Sequence, residues 1–243
     1  MNPKRILLPA CALASALLLA GCPDRDDDDQ PEDQLQTLRF DVSTTNLTAA
    51  QPVSPLALAL HQPSLSIFTV GAPASLPLEV LAEGGDNSDL LASLADNPEA
   101  FSTAAGSGVL MPGQSELLSV SAELGVDADV SLSLVTMLVN TNDAISALNG
   151  VDVTNLGVGD SMTFTTVVYD AGTEANSETA DTIPGPAAAG GAQEGFNAAR
   201  DEPDAVLMHS GVLTRDDGMS TSTLTGLHKF DNPALRITIT RTQ

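Results

Sequence analysis

Two acidic segments stand where apolar runs end, and they are where this chain could do chemistry. Met137-Leu138-Val139 runs into Asn140-Thr141-Asn142-Asp143-Ala144, and Val167-Val168-Tyr169 runs into Asp170-Ala171-Gly172-Thr173-Glu174-Ala175-Asn176. If both runs are neighbouring strands, Asp143, Asp170 and Glu174 meet at one end of a sheet. Gly172 would supply the tight turn that folds Asp170 and Glu174 to one side. Acids gathered without a basic partner repel one another. A hard cation removes that cost, and calcium accepts six to eight oxygen ligands, backbone carbonyls and water included. Neither segment contains Lys, Arg, His or Cys, so zinc fits poorly. The same residues also serve as turn formers in any β-protein, and the spacing alone leaves both readings open.

Catalytic alternatives are thin. The chain contains no Gly-x-Ser-x-Gly elbow, Walker loop or His-Glu-x-x-His. A hydrolase would need His61, His209 or His228, far apart in sequence, to converge on Ser210 or Ser54. Otherwise it would need the paired carboxylates to act as acid and base. Aromatic platforms for sugar are scarce, with no Trp and one Tyr. We therefore expect a non-enzyme, with a hydrolase or a purely structural envelope protein as the alternative readings.

The elements that must position these acids read as strands. Leu38, Phe40 and Val42 alternate with polar residues, as do Leu56, Leu58 and Leu60, then Val130, Leu132 and Leu134. Met162, Phe164 and Thr166 lead into 167–169, and Leu235, Ile237 and Ile239 alternate to the end. Residues 115–122, 205–213 and 220–226 are further strands, the last two joined by a turn at Asp217-Gly218. One short helix is expected near 87–96, capped by Asn87 or Ser88. Pro184 to Asp204, rich in Pro, Gly and Ala, reads as a long surface loop, and Asn149-Gly150 as a turn. Many short strands and little helix predict an all-β antiparallel sandwich.

The N-terminus carries a different signal. Lys4 and Arg5 precede an apolar run from Ile6 to Ala20, closed by Leu19-Ala20-Gly21-Cys22. The run is short for a membrane span and has signal-peptide anatomy. The quartet resembles the lipobox of bacterial lipoproteins, which implies cleavage before Cys22 and lipid on its thiol. Losing Lys4 and Arg5 takes the net charge from −23 to −25, which argues against nucleic acid as a partner. Cys11 leaves with the signal, so no cysteine remains for a disulfide. Residues 22–36, with Asp26 to Asp29 at their centre, read as an extended acidic tether. The expected organisation is a signal peptide at 1–21, the tether at 22–36 and a sandwich domain at 37–243. The place is a bacterial cell envelope, on the extracytoplasmic side.

Several stretches together resemble the N-terminal domain of the spondin family, in its bacterial form. They are Phe40-Asp41-Val42-Ser43-Thr44-Thr45-Asn46-Leu47-Thr48, Gln51-Pro52-Val53-Ser54-Pro55, Leu81-Ala82-Glu83-Gly84-Gly85-Asp86 and Met111-Pro112-Gly113. Both acidic segments, His209-Ser210-Gly211 and Asn232-Pro233-Ala234-Leu235-Arg236-Ile237 continue the likeness. The resemblance spans about 38–241 and implies a C2-like sandwich acting in adhesion, with Ca2+ held by Asp143, Asp170 and Glu174. In the animal relatives a Trp stands where Ala144 is and an Asp where Glu174 is. Those relatives also carry disulfides and thrombospondin-type repeats, neither of which this chain has. Adhesion to an animal matrix therefore does not carry over, and the partner, protein or glycan, stays unnamed.

The lipobox generates a test. Labelled palmitate fed to a bacterial host expressing the chain should enter the wild type and be absent from Cys22→Ser.

Overall fold

The computed structural model describes residues 34–188, 196–200, 203–231 and 233–243. The signal sequence, Cys22 and tether positions 22–33 lie outside the described residues. Asp33–Gln243 forms one compact unit. Its first strand, β1, is Leu35–Asn46.

Two antiparallel sheets face each other. After β1 come β2 (Ala57–His61), helix α1 (Leu76–Gly84), helix α2 (Ser88–Ala95), β3 (Ala100–Ala105), β4 (Ser115–Gly125), β5 (Ser131–Met137) and β6 (Ala144–Asp152). The chain ends with β7 (Ser161–Thr165), β8 (Val167–Asp170), β9 (Leu207–Met208) and β10 (Leu235–Arg241). One sheet has the order β4-β1-β10-β7, the other β3-β2-β5-β6-β8-β9. The all-β sandwich expected from the sequence is therefore present.

The four-stranded sheet shows why alternation works. Leu38, Phe40, Val42 and Thr44 of β1 point inward, while Arg39, Asp41, Ser43 and Thr45 face outward. The inward set packs on Leu58, Leu60, Leu132, Leu134, Val168, Ile237 and Ile239 between the sheets. In the six-stranded sheet, β2 and β5 are buried on both faces. The outer face of β2 and β5, with Ala57, Ala59, Val135 and Met137, meets Leu78, Leu81, Leu90 and Leu94 of the helices. The small alanines leave room for the helices, giving three layers.

Where the expectation departs, local chemistry explains it. Two helices form, not one. In α1, Pro77 stands in the first turn, where its missing N–H costs nothing, and Gly85 ends the helix in a left-handed conformation with φ 70°. The run 162–169 is two strands in different sheets. At Thr166 the chain crosses over, its amide bonding Leu235 and its hydroxyl meeting Ser146 at 2.6 Å. No hairpin forms at Asp217-Gly218. The Asp217 carboxylate instead accepts the Thr214 amide at 3.0 Å and its hydroxyl at 2.8 Å, capping a single helical turn at Arg215–Asp217. Residues 220–226 form no strand, and 205–213 shrinks to the two residues of β9.

Asn149-Gly150 lies within β6 at a bulge in its pairing with β5. The described parts of 184–204 are docked. The Ala187 amide bonds Asn140, and Arg200 pairs with the buried Glu79 of α1 and bonds the Ala74 carbonyl.

Phe40, fully buried at the centre of this core, is the sharpest test of it. Phe40→Ala should lower stability by about 3–5 kcal/mol in denaturant unfolding, whereas Leu117→Ala, on the open face of β4, should change it by well under about 1 kcal/mol.

Candidate functional site

The segment from Leu138 to Asp143, between β5 and β6, is polar and yet buried. Asn140, Thr141, Asn142 and Asp143 are all within 1 % of full burial. Thr141 makes the turn itself, its hydroxyl donating to the Leu138 carbonyl at 2.6 Å and accepting from the Ala144 amide at 3.1 Å. Gln51 closes the outer side, bonding both the amide and the carbonyl of Asn140. Gly185 lies against this segment so closely that a Cβ there would meet the Val139 carbonyl oxygen at 2.2 Å.

Asp143 and Asp170 are brought together by strand pairing. Ala144 of β6 lies opposite Asp170 of β8, and the Ala171 amide bonds the Asp143 carbonyl at 3.3 Å. Asp170 begins the following turn. Its Oδ1 accepts the Gly172 amide at 2.8 Å and its Oδ2 accepts from Asn176 Nδ2 at 2.6 Å. Gly172 has φ 69°, and a Cβ on it would strike the Ala205 carbonyl, so glycine is required on both counts. The turn aims a nest of donors at Asp143 Oδ2: the Thr173 amide at 2.8 Å, the Thr173 hydroxyl at 3.2 Å and the Glu174 amide at 3.1 Å. Half-buried Glu174 thus reaches Asp143 through its backbone.

Asp143 Oδ1 is buried with no hydrogen-bond partner. Burial, and then the Asp170 charge, push the Asp143 carboxyl up to about 6, against the pull of the Thr173 and Glu174 donors.

A further acid, absent from the sequence reading, stands beside these. Glu178 is fully buried, and neither of its carboxylate oxygens has a hydrogen-bond partner. It is the one non-glycine residue at positive φ among the described residues, at 55°. Its amide donates to Asn142 Oδ1 at 3.0 Å, so the chain from Glu174 to Glu178 wraps the Asn142-Asp143 pair from two sides. Burial pushes its carboxyl up to about 7, with Asp143 and Asp170 adding to the shift and the nearby Leu213 amide, short of hydrogen-bond geometry, opposing it. No spacing or periodicity marks Ser177-Glu178-Thr179 as special; only folding reveals it.

The histidines have separate neighbourhoods. His61 Nε2 is 2.7 Å from Ser133 Oγ and Nδ1 is 2.7 Å from the Gln62 carbonyl. Both side chains are fully buried, which closes that Ser–His pair to any substrate. His209 Nδ1 accepts the Gly211 amide at 2.9 Å, and its ring packs edge-on against Phe230. Burial lowers its pKa while the charge of Asp170 opposes. His228 binds the Thr225 amide locally. Ser54 Oγ accepts the Met137 amide and meets Thr136 Oγ1.

Among the described residues, no three His, Cys, Asp or Glu side chains form a ready metal-binding group. The contacts recorded on the two carboxylates, one from each loop, are N–H and O–H donors from the turn 172–176. No family model and no curated protein matches this chain.

Both raised acids bind their protons more tightly in the folded than in the unfolded chain. Their penalty on folding is absent below about pH 4, grows between about 4 and 7, and is complete above that. With chelator present, the unit Asp33–Gln243 should therefore be more stable at pH ~5 than at pH ~8, by a few kcal/mol in order of magnitude. Denaturant melts across that range check the sign, and a profile that rises toward pH ~8 contradicts it.

Proposed function

We propose that this protein is a membrane-tethered, extracytoplasmic binding module of the spondin type, whose Asp143–Asp170 end is ordered by calcium. The observation that carries the reading is Asp143: a fully buried carboxylate with one oxygen held by three donors and the other unmet, next to a second acid. Such a group is costly unless a proton or a cation completes it. The cation would be held by Asp143 and Asp170 with Glu174 in the same turn, and bound calcium would supply the positive charge that joins the two loops. The resemblance to the spondin family points the same way.

A surface for a partner lies beside the site. β9, at the edge of the six-stranded sheet, pairs with Tyr169 and Asp170 and exposes Leu207 and Met208. An open edge with apolar side chains is a template for association. Lipid on Cys22 would hold the module to its membrane, with the acidic segment at 22–33 as spacer.

Thermal unfolding of Asp33–Gln243, with chelator and with millimolar calcium, tests the metal reading. That unit contains both sheets and the described apolar clusters, and starting later would cut into β1. Calcium at one hundred times its dissociation constant should stabilise the fold by ~2.7 kcal/mol, and Asp170→Ala should abolish the rise. A midpoint indifferent to calcium, with the domain folded throughout, removes the metal from this account.

A further inference from the structure

His61 and Ser133 are closed to anything in solution, but one group of the chain itself reaches them. β6 bulges at Asn149-Gly150, so that these two residues together face Ser133 of β5. The Gly150 amide, at φ 77°, donates to Ser133 Oγ at 2.8 Å. Ser133 Oγ lies 2.7 Å from His61 Nε2, and His61 Nδ1 lies 2.7 Å from the Gln62 carbonyl. A carbonyl only accepts, so Nδ1 carries the ring proton and Nε2 is the free base. The Ser133 hydroxyl then donates to Nε2 and leaves its oxygen to accept the Gly150 N–H. Burial keeps the imidazole neutral by lowering its pKa, with the Gln62 carbonyl and the Glu99 charge opposing. The three groups form a line along which a proton can leave the Gly150 nitrogen.

Asn149-Gly150 is also the one Asn-Gly pair in the sequence. In such a pair the glycine nitrogen and the asparagine Cγ are the two ends of an unclosed five-membered ring, so the covalent chain itself supplies proximity. A glycine, lacking Cβ, leaves its nitrogen unhindered. The Asn149 side chain is gripped by residues 66–68. Its Oδ1 accepts the Ile67 amide at 3.0 Å, and its Nδ2 donates to the Phe68 carbonyl at 2.8 Å and to Ser66 Oγ at 3.0 Å. A donor on Oδ1 stabilises the negative charge that gathers there when Cγ is attacked. Asn149 is half-buried and Gly150 exposed, so water reaches the product.

We propose that Asn149 is a site of self-modification, in which the Gly150 nitrogen, relieved of its proton by His61 through Ser133, attacks Asn149 Cγ. The N–Cγ bond forms and the Cγ–Nδ2 bond breaks. Ammonia leaves, its third hydrogen matching the proton given up by Gly150. Water then opens the succinimide to aspartate or isoaspartate at 149, and no electrons change hands. The new carboxylate has no N–H for the Phe68 carbonyl, so residues 66–68 lose a tie to β6. Phe68 is the ring that packs on Tyr169, next to Asp170. None of this depends on calcium.

Peptide mass mapping tests it, after incubation of Asp33–Gln243 between pH ~6.5 and ~8.5, folded and in denaturant. At pH ~7 the folded domain should convert Asn149 faster than the denatured chain does. Its rate should stay level across the range, because a neutral histidine is already the base, whereas the denatured rate rises with hydroxide. Ser133→Ala should slow the folded rate about tenfold or more. A folded rate below the denatured one at pH ~7 overturns the proposal. So does a folded rate that climbs with hydroxide, or a wild-type rate in Ser133→Ala. The pH profile is read on the wild type, so it decides the matter even where Ser133→Ala does not fold.

Discussion

A polar loop sealed inside a β-sandwich must satisfy every group it carries, and that requirement organises one whole end of this molecule. Residues 140–143 are fully buried, so their amides, carbonyls and side chains need protein partners. Gln51 supplies them from one side and Ala50 from another, while residues 173–178 and Ala187 close the rest. Segments distant in sequence are thereby fixed with respect to one another through a six-residue connection. Asp143 Oδ1 and the carboxylate oxygens of Glu178 are among the buried atoms left without a hydrogen-bond partner.

The strands that build the sandwich were readable because one face of each is apolar and the other is not. β1 and β10 show it, with Val42 opposite Ile239 on the buried face and Asp41 opposite Thr240 on the other. The reading weakens where a strand is buried on both faces. β6 carries Ala144-Ile145-Ser146-Ala147-Leu148, buried throughout, and so shows no alternation to find. The crossover at Thr166 is equally silent, since a strand that leaves one sheet and enters another keeps its period of two. Helix α1 hides behind Pro77, which breaks a helix interior but begins one well.

Composition misled where glycine and proline had a packing purpose. The 184–188 stretch looks like free loop, yet Gly185 is there so that the backbone can lie against Val139. At the site, Asp143 and Asp170 could be placed together because each follows an apolar strand, and pairing of Ala144 with Asp170 bears out their adjacency. Glu178 could not be placed, because what distinguishes it is the lack of a partner on both its oxygens, and partners are a property of the folded chain.

The single tyrosine is part of this end of the molecule. Tyr169 precedes Asp170 and packs edge-on against Phe68, ring centres 5.0 Å apart. With no tryptophan anywhere in the 243 residues, emission excited at tyrosine wavelengths comes from one ring, one residue from the acidic turn. Optically the protein is a single-probe molecule, its one lamp already hung beside the place where its two acidic loops meet.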